Sequence, residues 1–438
     1  MRTGRIVLKA RVARPLIAAR SPWLRGRVRL PGDQFAGSVV LVVAAMARGE
    51  SVIEHLPDTT GMHRLIGALR QLGAVCDRHG ERWHVQGLGA AGFLQPVAPL
   101  PLRGSKEDAL LIGLVGLMDM KVEFSGAVAN PELDPLLGAL RGLGTKVEID
   151  GGRLVLEGPR FPASPDLSLT GGGLVKAGLL LASVAVPGVS RIVAPIGPGH
   201  VERQLRGFGA RVDREVSDLT ETISVAGLPQ LRAQAISLPS DPGLAAIPAI
   251  AALVCPHSDV TIEAVLTDPS RTGLLAVLME MGGNIDVLNP RRLGGEDAAD
   301  LVVRHSVLHG IEINAESGID PADWPLLAVA AAFAEGDSLL RHEGEPQKLF
   351  PLLRALQAAK VSAEITNQGL LINGIGFVAG GGKVVTRLDP RLAIAFLLMG
   401  TAAAAPIEVD DSGMFEDFFP GFVPLMEGLG ASLSEPAK

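Results

Sequence analysis

The chain has 438 residues, of which 47% are hydrophobic and 4% aromatic, with no Tyr and a formal net charge of −7. At roughly 100–200 residues per domain this length corresponds to two domains, with enough aliphatic material for sizeable cores. The acidic balance, the absence of Lys/Arg blocks and the scarcity of aromatic rings argue against nucleic acid as a partner, which needs cationic tracts and stacking platforms.

In chain order, the first residues, MRTGRIVLKARVARPL, are basic but lack the uninterrupted apolar run of a secretory signal. Residues 27–30 alternate basic and apolar as a strand does, Pro31-Gly32-Asp33 makes a turn, and Val39–Met46 supplies one apolar face of a helix. A turn feeding a helix N-terminus is an anion site, because free N–H groups and the helix dipole both favour negative charge. Such a site ordinarily recruits a Lys or Arg. Here the next residues are Gln34, Phe35 and Ala36.

One pattern then recurs along the chain: an amphipathic helix ending in Leu-x-x-Leu-Gly, a strand, a turn and a second short strand. The helix ends read LRQLGAV, LRGLGTKV, LRGFGARV, LMEMGGNI, LQAAKV and LMEGLGASL. Their glycines, Gly73, Gly144, Gly209, Gly282 and Gly430, are 71, 65, 73 and 148 residues apart, the last gap spanning the fifth copy, which lacks the glycine. Glycine there is the expected left-handed helix stop. An Ala/Leu-rich segment suited to a buried helix, such as Leu174–Val186 or Trp324–Ala334, precedes an alternating strand at the same period. The chain therefore reads as α/β, with six repeats of about 70 residues, three per lobe. "LPSDPG" at 238–243 echoes "LPGD" at 30–33, and the two turns frame a hinge.

Further on, Arg291-Arg292 reads as a solvated turn and Gly380–Gly382 as a loop without P-loop spacing. Leu392–Ile407 contains Gly400 and Pro406 and is too short to span a bilayer, which takes about 20 residues. It reads as a buried helix followed by a strand. The two cysteines, Cys76 and Cys255, form neither a disulfide framework nor a metal-ligand spacing. A reduced, cytoplasmic setting is expected, with no metal, no cofactor and no membrane contact.

Six such units in two lobes resemble the enolpyruvyl transferases. The strings HVERQLRGFGARV (200–212), DPSRTGLLAVLMEMGGNIDVLNPRRLGGEDAADL (268–301), PLLAVAAAFAEG (325–336), LDPRLAIAFLLMG (388–400) and DDSGMFEDFFPGF (410–422) resemble the 5-enolpyruvylshikimate-3-phosphate (EPSP) synthase family in particular. The resemblance implies a two-lobed inverse α/β barrel. It places residues 31–240 in an N-terminal lobe, and residues 1–30 with 241–438 in a C-terminal lobe. It also implies a cleft that closes on shikimate 3-phosphate and phosphoenolpyruvate. Two phosphates and two carboxylates need a cluster of Lys and Arg, and proton transfer needs a carboxylate and a basic group.

Matched position by position, most of that cluster is missing. In the PGDKS…HR pattern the family lysine falls on Gln34, the serine on Phe35 and the arginine on Val39. The second loop falls on LRGSKEDALL (102–111), with Ala109 at its arginine position and Arg103 and Lys106 nearby. The third is shortened to SGAVANP (125–131). The phosphate-holding Ser-x-Gln group falls on Gly172-Gly173-Leu174, while Lys176 survives. The catalytic aspartate position holds Ala322, flanked by Asp320 and Asp323. The VKESDR string is reduced to RHEGEPQ (341–347), and DHR survives as Asp389-Pro390-Arg391. His200 and Arg271 also match family positions.

The sequence thus nominates Asp323 as acid or base, and Arg391, Lys176, His200, Gln34 and Asp389 as residues toward a ligand. Three of them have a plainer role as well: Arg391 as a cap or ion-pair partner, Lys176 within a buried helix and His200 as a helix start; Arg271 reads as a helix buttress. Two functions follow. One is a pseudoenzyme whose clamp binds a small anionic metabolite or a protein partner. The other is a carboxyvinyl transferase with a different acceptor. A wall-synthesis type of enolpyruvyl transferase is set aside, since its mobile-loop cysteine has no counterpart in Cys76, which begins a strand.

Overall fold

The computed structural model describes residues 13–170, 172–314, 317 and 319–436. Most of the basic N-terminal stretch, up to residue 12, and Gly171 lie outside them.

Six four-stranded sheets repeat one plan: three antiparallel strands and one outer strand added in parallel. In the first sheet the hairpin Val75–His79/Arg82–Leu88 pairs with Arg48–Glu54, and Ala235–Ser237 lies parallel on the outside. That outer strand comes from just before the second lobe crossing. The fourth sheet takes its outer strand, Arg25–Arg29, from just before the first crossing. The last sheet inserts Leu16–Ala19 between Ile407–Val409 and Ser432–Ser434. The C-terminal lobe therefore holds two strands from ahead of the first crossing, whereas every strand of the N-terminal lobe lies between the two crossings.

The repeat glycines do what their spacing implies. Gly73, Gly144, Gly209, Gly282 and Gly430 have φ of 101°, 98°, 102°, 92° and 105°. In the fifth copy Lys360 takes the same left-handed position at φ 62° and makes the same closing bonds, Lys360 N to Gln357 O and Val361 N to Leu356 O.

Six apolar helices form the interior: Gln34–Met46, Lys106–Gly116 and Gly173–Val184, then Pro242–Val254, Trp324–Phe333 and Pro390–Ala402. They are buried nearly all round, which is why their sequences carry no helical stripe. Two of them touch backbone to backbone: a Cβ on Gly113 would stand 2.1 Å from Gly178 O. One core gathers residues from Val39 to Leu238. The other gathers Leu16–Leu30 with Ala245–Ala431.

The crossings form a short two-stranded hinge. Asp33 N donates to Pro239 O (3.2 Å), Asp241 N donates to Pro31 O (3.0 Å), and Gly32 bridges Ser240. A Cβ on Gly32 would lie 2.7 Å from Leu238 Cβ, so the two strands can approach only because residue 32 has none. The expected buried helix and strand near residue 392 are Pro390–Ala402 and Ile407–Val409. One expectation is corrected. Arg291-Arg292 is not a turn but part of the strand Asn284–Leu293, where Arg291 reaches Asp300 at 2.7 Å. The strand bulges between Leu288 and Arg291, and that irregularity hid its period.

Candidate functional site

The two lobes enclose a cleft of about 820 Å³. It is built where helix N-termini converge, and the local sequence decides what those N-termini offer. Asp33 caps the helix Gln34–Met46, its Oδ1 accepting from Ala36 N at 2.8 Å. Asp241 caps Pro242–Val254, accepting from Gly243 N (2.7 Å) and Leu244 N (3.1 Å). Asp389 caps Pro390–Ala402 through Arg391 N (2.9 Å) and Leu392 N (3.2 Å). Ahead of Lys106–Gly116 the effect is fullest. Asp108 Oδ2 accepts from three successive N–H groups, Arg103 (3.0 Å), Gly104 (2.8 Å) and Ser105 (3.1 Å). Three N–H groups in a row form an anion nest. Here the chain's own carboxylate sits in it.

The cationic side chains are answered in the same way. Arg271 Nη2 stands 2.6 Å from Asp33 and 3.4 Å from Asp241. Burial, reinforced by the charge of Asp33, pushes the Asp241 carboxyl up to about 7 despite Arg271. Arg391 Nε donates to Asp323 Oδ1 at 2.9 Å, and its guanidinium lies 4.5 Å from the Phe418 ring centre. Burial raises the Asp323 carboxyl above the ordinary carboxylate range, with Arg391 opposing. Of the cations in the lining, Lys106, Arg271 and Arg391, two are thus already ion-paired. Six carboxyl side chains share the lining with them: Glu107, Glu132, Asp241, Asp320, Asp323 and Asp417.

Of the residues nominated from sequence, Gln34, Asp323 and Arg391 line the cleft. Gln34 is held at both ends of its amide: Nε2 donates to Glu107 Oε1 (3.1 Å), and Oε1 accepts from Thr59 Oγ1 (2.8 Å). Phe35 also lines the cleft and meets His200 edge-on, with 6.1 Å between ring centroids. The other three nominees stand elsewhere. Lys176 is 2% exposed and buries its ammonium against Glu202 (2.9 Å) and Glu221 (2.6 Å). His200, 2% exposed, faces Glu296 across the lobes at 3.1 Å. Asp389 spends its Oδ1 on the helix cap. Val39 and Ala109, at family arginine positions, are packed in the N-terminal core.

Sequence reasoning missed Asp108, Glu107, Asp417 and the two-sided grip of Arg271. A signal existed for the first: Ser105-x-x-Asp108 is a capping-box pattern. The echo of LPGD in LPSDP was also visible, but that both aspartates meet one arginine was not.

A model of the family described as EPSP synthase (3-phosphoshikimate 1-carboxyvinyltransferase) matches residues 19–426. The chain belongs to the EPSP synthase family. Relatives within it include the 3-phosphoshikimate 1-carboxyvinyltransferase of Pseudomonas sp. strain PG2982, 38% identical over 96% of this chain and 97% of its own. That of Chelativorans sp. strain BNC1 is 36% identical over 97% and 98%. Among solved structures, the EPSP synthase of Acinetobacter baumannii superposes with a TM-score of 0.86 at 25% identity, covering 97% of this chain and all of its own. The enolpyruvyl transferase NikO of Streptomyces tendae shares the fold, with a TM-score of 0.76 at 20% identity over 98% of this chain. The two lobes read from the repeats, and the enolpyruvyl transferase architecture that the resemblance implied, are thereby established. Among the described residues, no helix is long and apolar enough to cross a membrane.

Proposed function

We propose that this member of the EPSP synthase family does not join shikimate 3-phosphate to phosphoenolpyruvate. On this reading it is a pseudoenzyme whose clamp binds a protein partner, or a metabolite less negatively charged than that substrate pair. The observation that carries it is the charge of the cleft: three cationic side chains against six carboxyls in the lining, with both arginines already held by carboxylates. Two phosphates and two carboxylates brought there would meet repulsion and few free donors. Each missing charged contact costs about 2–5 kcal/mol, and each 1.4 kcal/mol is tenfold in affinity. The relatives' names describe active enzymes, and identity over the whole chain counts scaffold and cleft together. Activity depends on the site. Calorimetric titration with shikimate 3-phosphate and with phosphoenolpyruvate tests the proposal. No saturable heat is expected at millimolar ligand, and micromolar binding of both would refute it.

One observation favours a second reading, a carboxyvinyl transferase with another acceptor. Asp323 is a half-buried carboxyl with raised proton affinity, lining the cleft and bonded to Arg391. A carboxyl with raised proton affinity is suited to general acid or base work. Phosphate release from phosphoenolpyruvate, measured against a panel of hydroxyl acceptors, separates the two readings. Turnover abolished by Asp323→Ala would establish the second.

A further inference from the structure

The cleft does not account for the polar contacts that join the lobes. On the N-terminal side the helix His200–Gly207 is anchored in its own core through Val201 and Leu205. From it, Arg203 reaches two carboxylates of the other lobe, Glu296 at 2.6 Å and Asp268 at 2.9 Å. His200 meets Glu296 at 3.1 Å, and Gln204 Nε2 donates to Gly294 O at 2.7 Å. Glu296 has no exposed surface. At the hinge, Arg271 of the C-terminal lobe holds the carboxylate that caps the first N-terminal helix. A third tie joins Thr60 Oγ1 to Asp417 Oδ1 at 2.5 Å, between the start of Thr60–Gln71 and the short helix Phe415–Phe418.

We propose that these ties latch the two lobes together without a ligand, so that the clamp is closed by its own side chains. A clamp shut by its substrate relies on the substrate's charges to bridge walls that would otherwise stand apart, because a ligand shifts a conformational equilibrium only by its differential affinity. Here the bridging charges are supplied from opposite lobes: a guanidinium of one against carboxylates of the other, at the helix 200–207 and again at Arg271. Glu296 lies at the contact and is fully desolvated, so opening exchanges its ion pair for water and closing restores it. The latch needs no ligand, although Arg271 and Asp417 also line the cleft, and it stands or falls separately from the reading above.

Solution scattering of the full chain, free of ligand, is the test. A compact chain of this length has a radius of gyration of about 22 Å. The wild-type profile is expected to match the structure with its lobes closed. A variant carrying Arg203→Gln, Glu296→Gln and Thr60→Val, which removes both charges of the Arg203–Glu296 pair, is expected to show a larger radius at unchanged far-ultraviolet dichroism. A wild-type profile that requires separated lobes overturns the proposal. So does a folded variant with the wild-type radius, which would show that the Arg203–Glu296 and Thr60–Asp417 ties do not hold the lobes together. The wild-type profile decides closure by itself, so a variant that failed to fold would not remove the test.

Discussion

Arg271 approaches Asp33 to 2.6 Å, and Asp33 itself is wholly buried at the hinge. A second carboxyl, Asp241, shares that one guanidinium from 3.4 Å. Two carboxyls, Asp33 fully buried and Asp241 13% exposed, set against one cation leave a negative excess, which is relieved by keeping a proton.

The consequence is a stability that falls as pH rises. The Asp241 carboxyl is held at about 7 in the folded chain against an ordinary value of 3.8. Below pH ~4 it is protonated in both states, and its contribution to stability is fully present. That contribution is lost as pH rises through about 7, because the folded state must then ionise a desolvated group. Asp241→Asn keeps a capping oxygen and removes the titration. Melting temperature measured between pH 4 and 8 should fall with pH in the wild type, by the equivalent of about 2–4 kcal/mol, and stay flatter in the variant. Parallel curves would contradict this assignment.

Asp108 makes a second prediction. Its carboxylate satisfies three N–H groups and is itself fully buried. Asp108→Ala should destabilise the chain by about 1–3 kcal/mol through the lost cap and orphaned donors, read as a shift in urea midpoint with unchanged slope. A loss under ~0.5 kcal/mol would mean that solvent replaces the carboxylate.

Restoring one cation should not restore the family reaction. In Gln34→Lys the new ammonium would stand beside Glu107, which already lies 3.1 Å from the Gln34 amide, and would pair with it. Phosphate release from phosphoenolpyruvate in the presence of shikimate 3-phosphate should remain at background. Turnover in this single variant would show that charge at residue 34 was the whole deficit.

Lys360 offers a change with the opposite sign. It holds a left-handed backbone position that glycine fills in five sibling repeats. Relieving that strain by Lys360→Gly should stabilise the chain by about 1 kcal/mol, partly offset by glycine's greater freedom when unfolded. Thermal denaturation gives the sign directly, and a lower melting temperature would show that the lysine side chain contributes more than its backbone costs.

The sequence by itself determined the architecture. A hydrophobic period repeated six times, punctuated by glycines at left-handed helix stops, admits few folds, and Lys360 shows the backbone keeping the rule where the residue breaks it. It also marked Gln34, Asp323 and Arg391, which do line the cleft. It did not reveal that Lys176 is spent on Glu202 and Glu221, or that Asp108 fills a nest of N–H groups. Nor did it reveal that Asp33 and Asp241, more than two hundred residues apart, share Arg271. Those facts are pairings between charges, and pairing depends on distances of a few ångströms between segments remote in the chain. Periodicity records which face of an element is buried, whereas only the folded arrangement decides which carboxylate meets which cation.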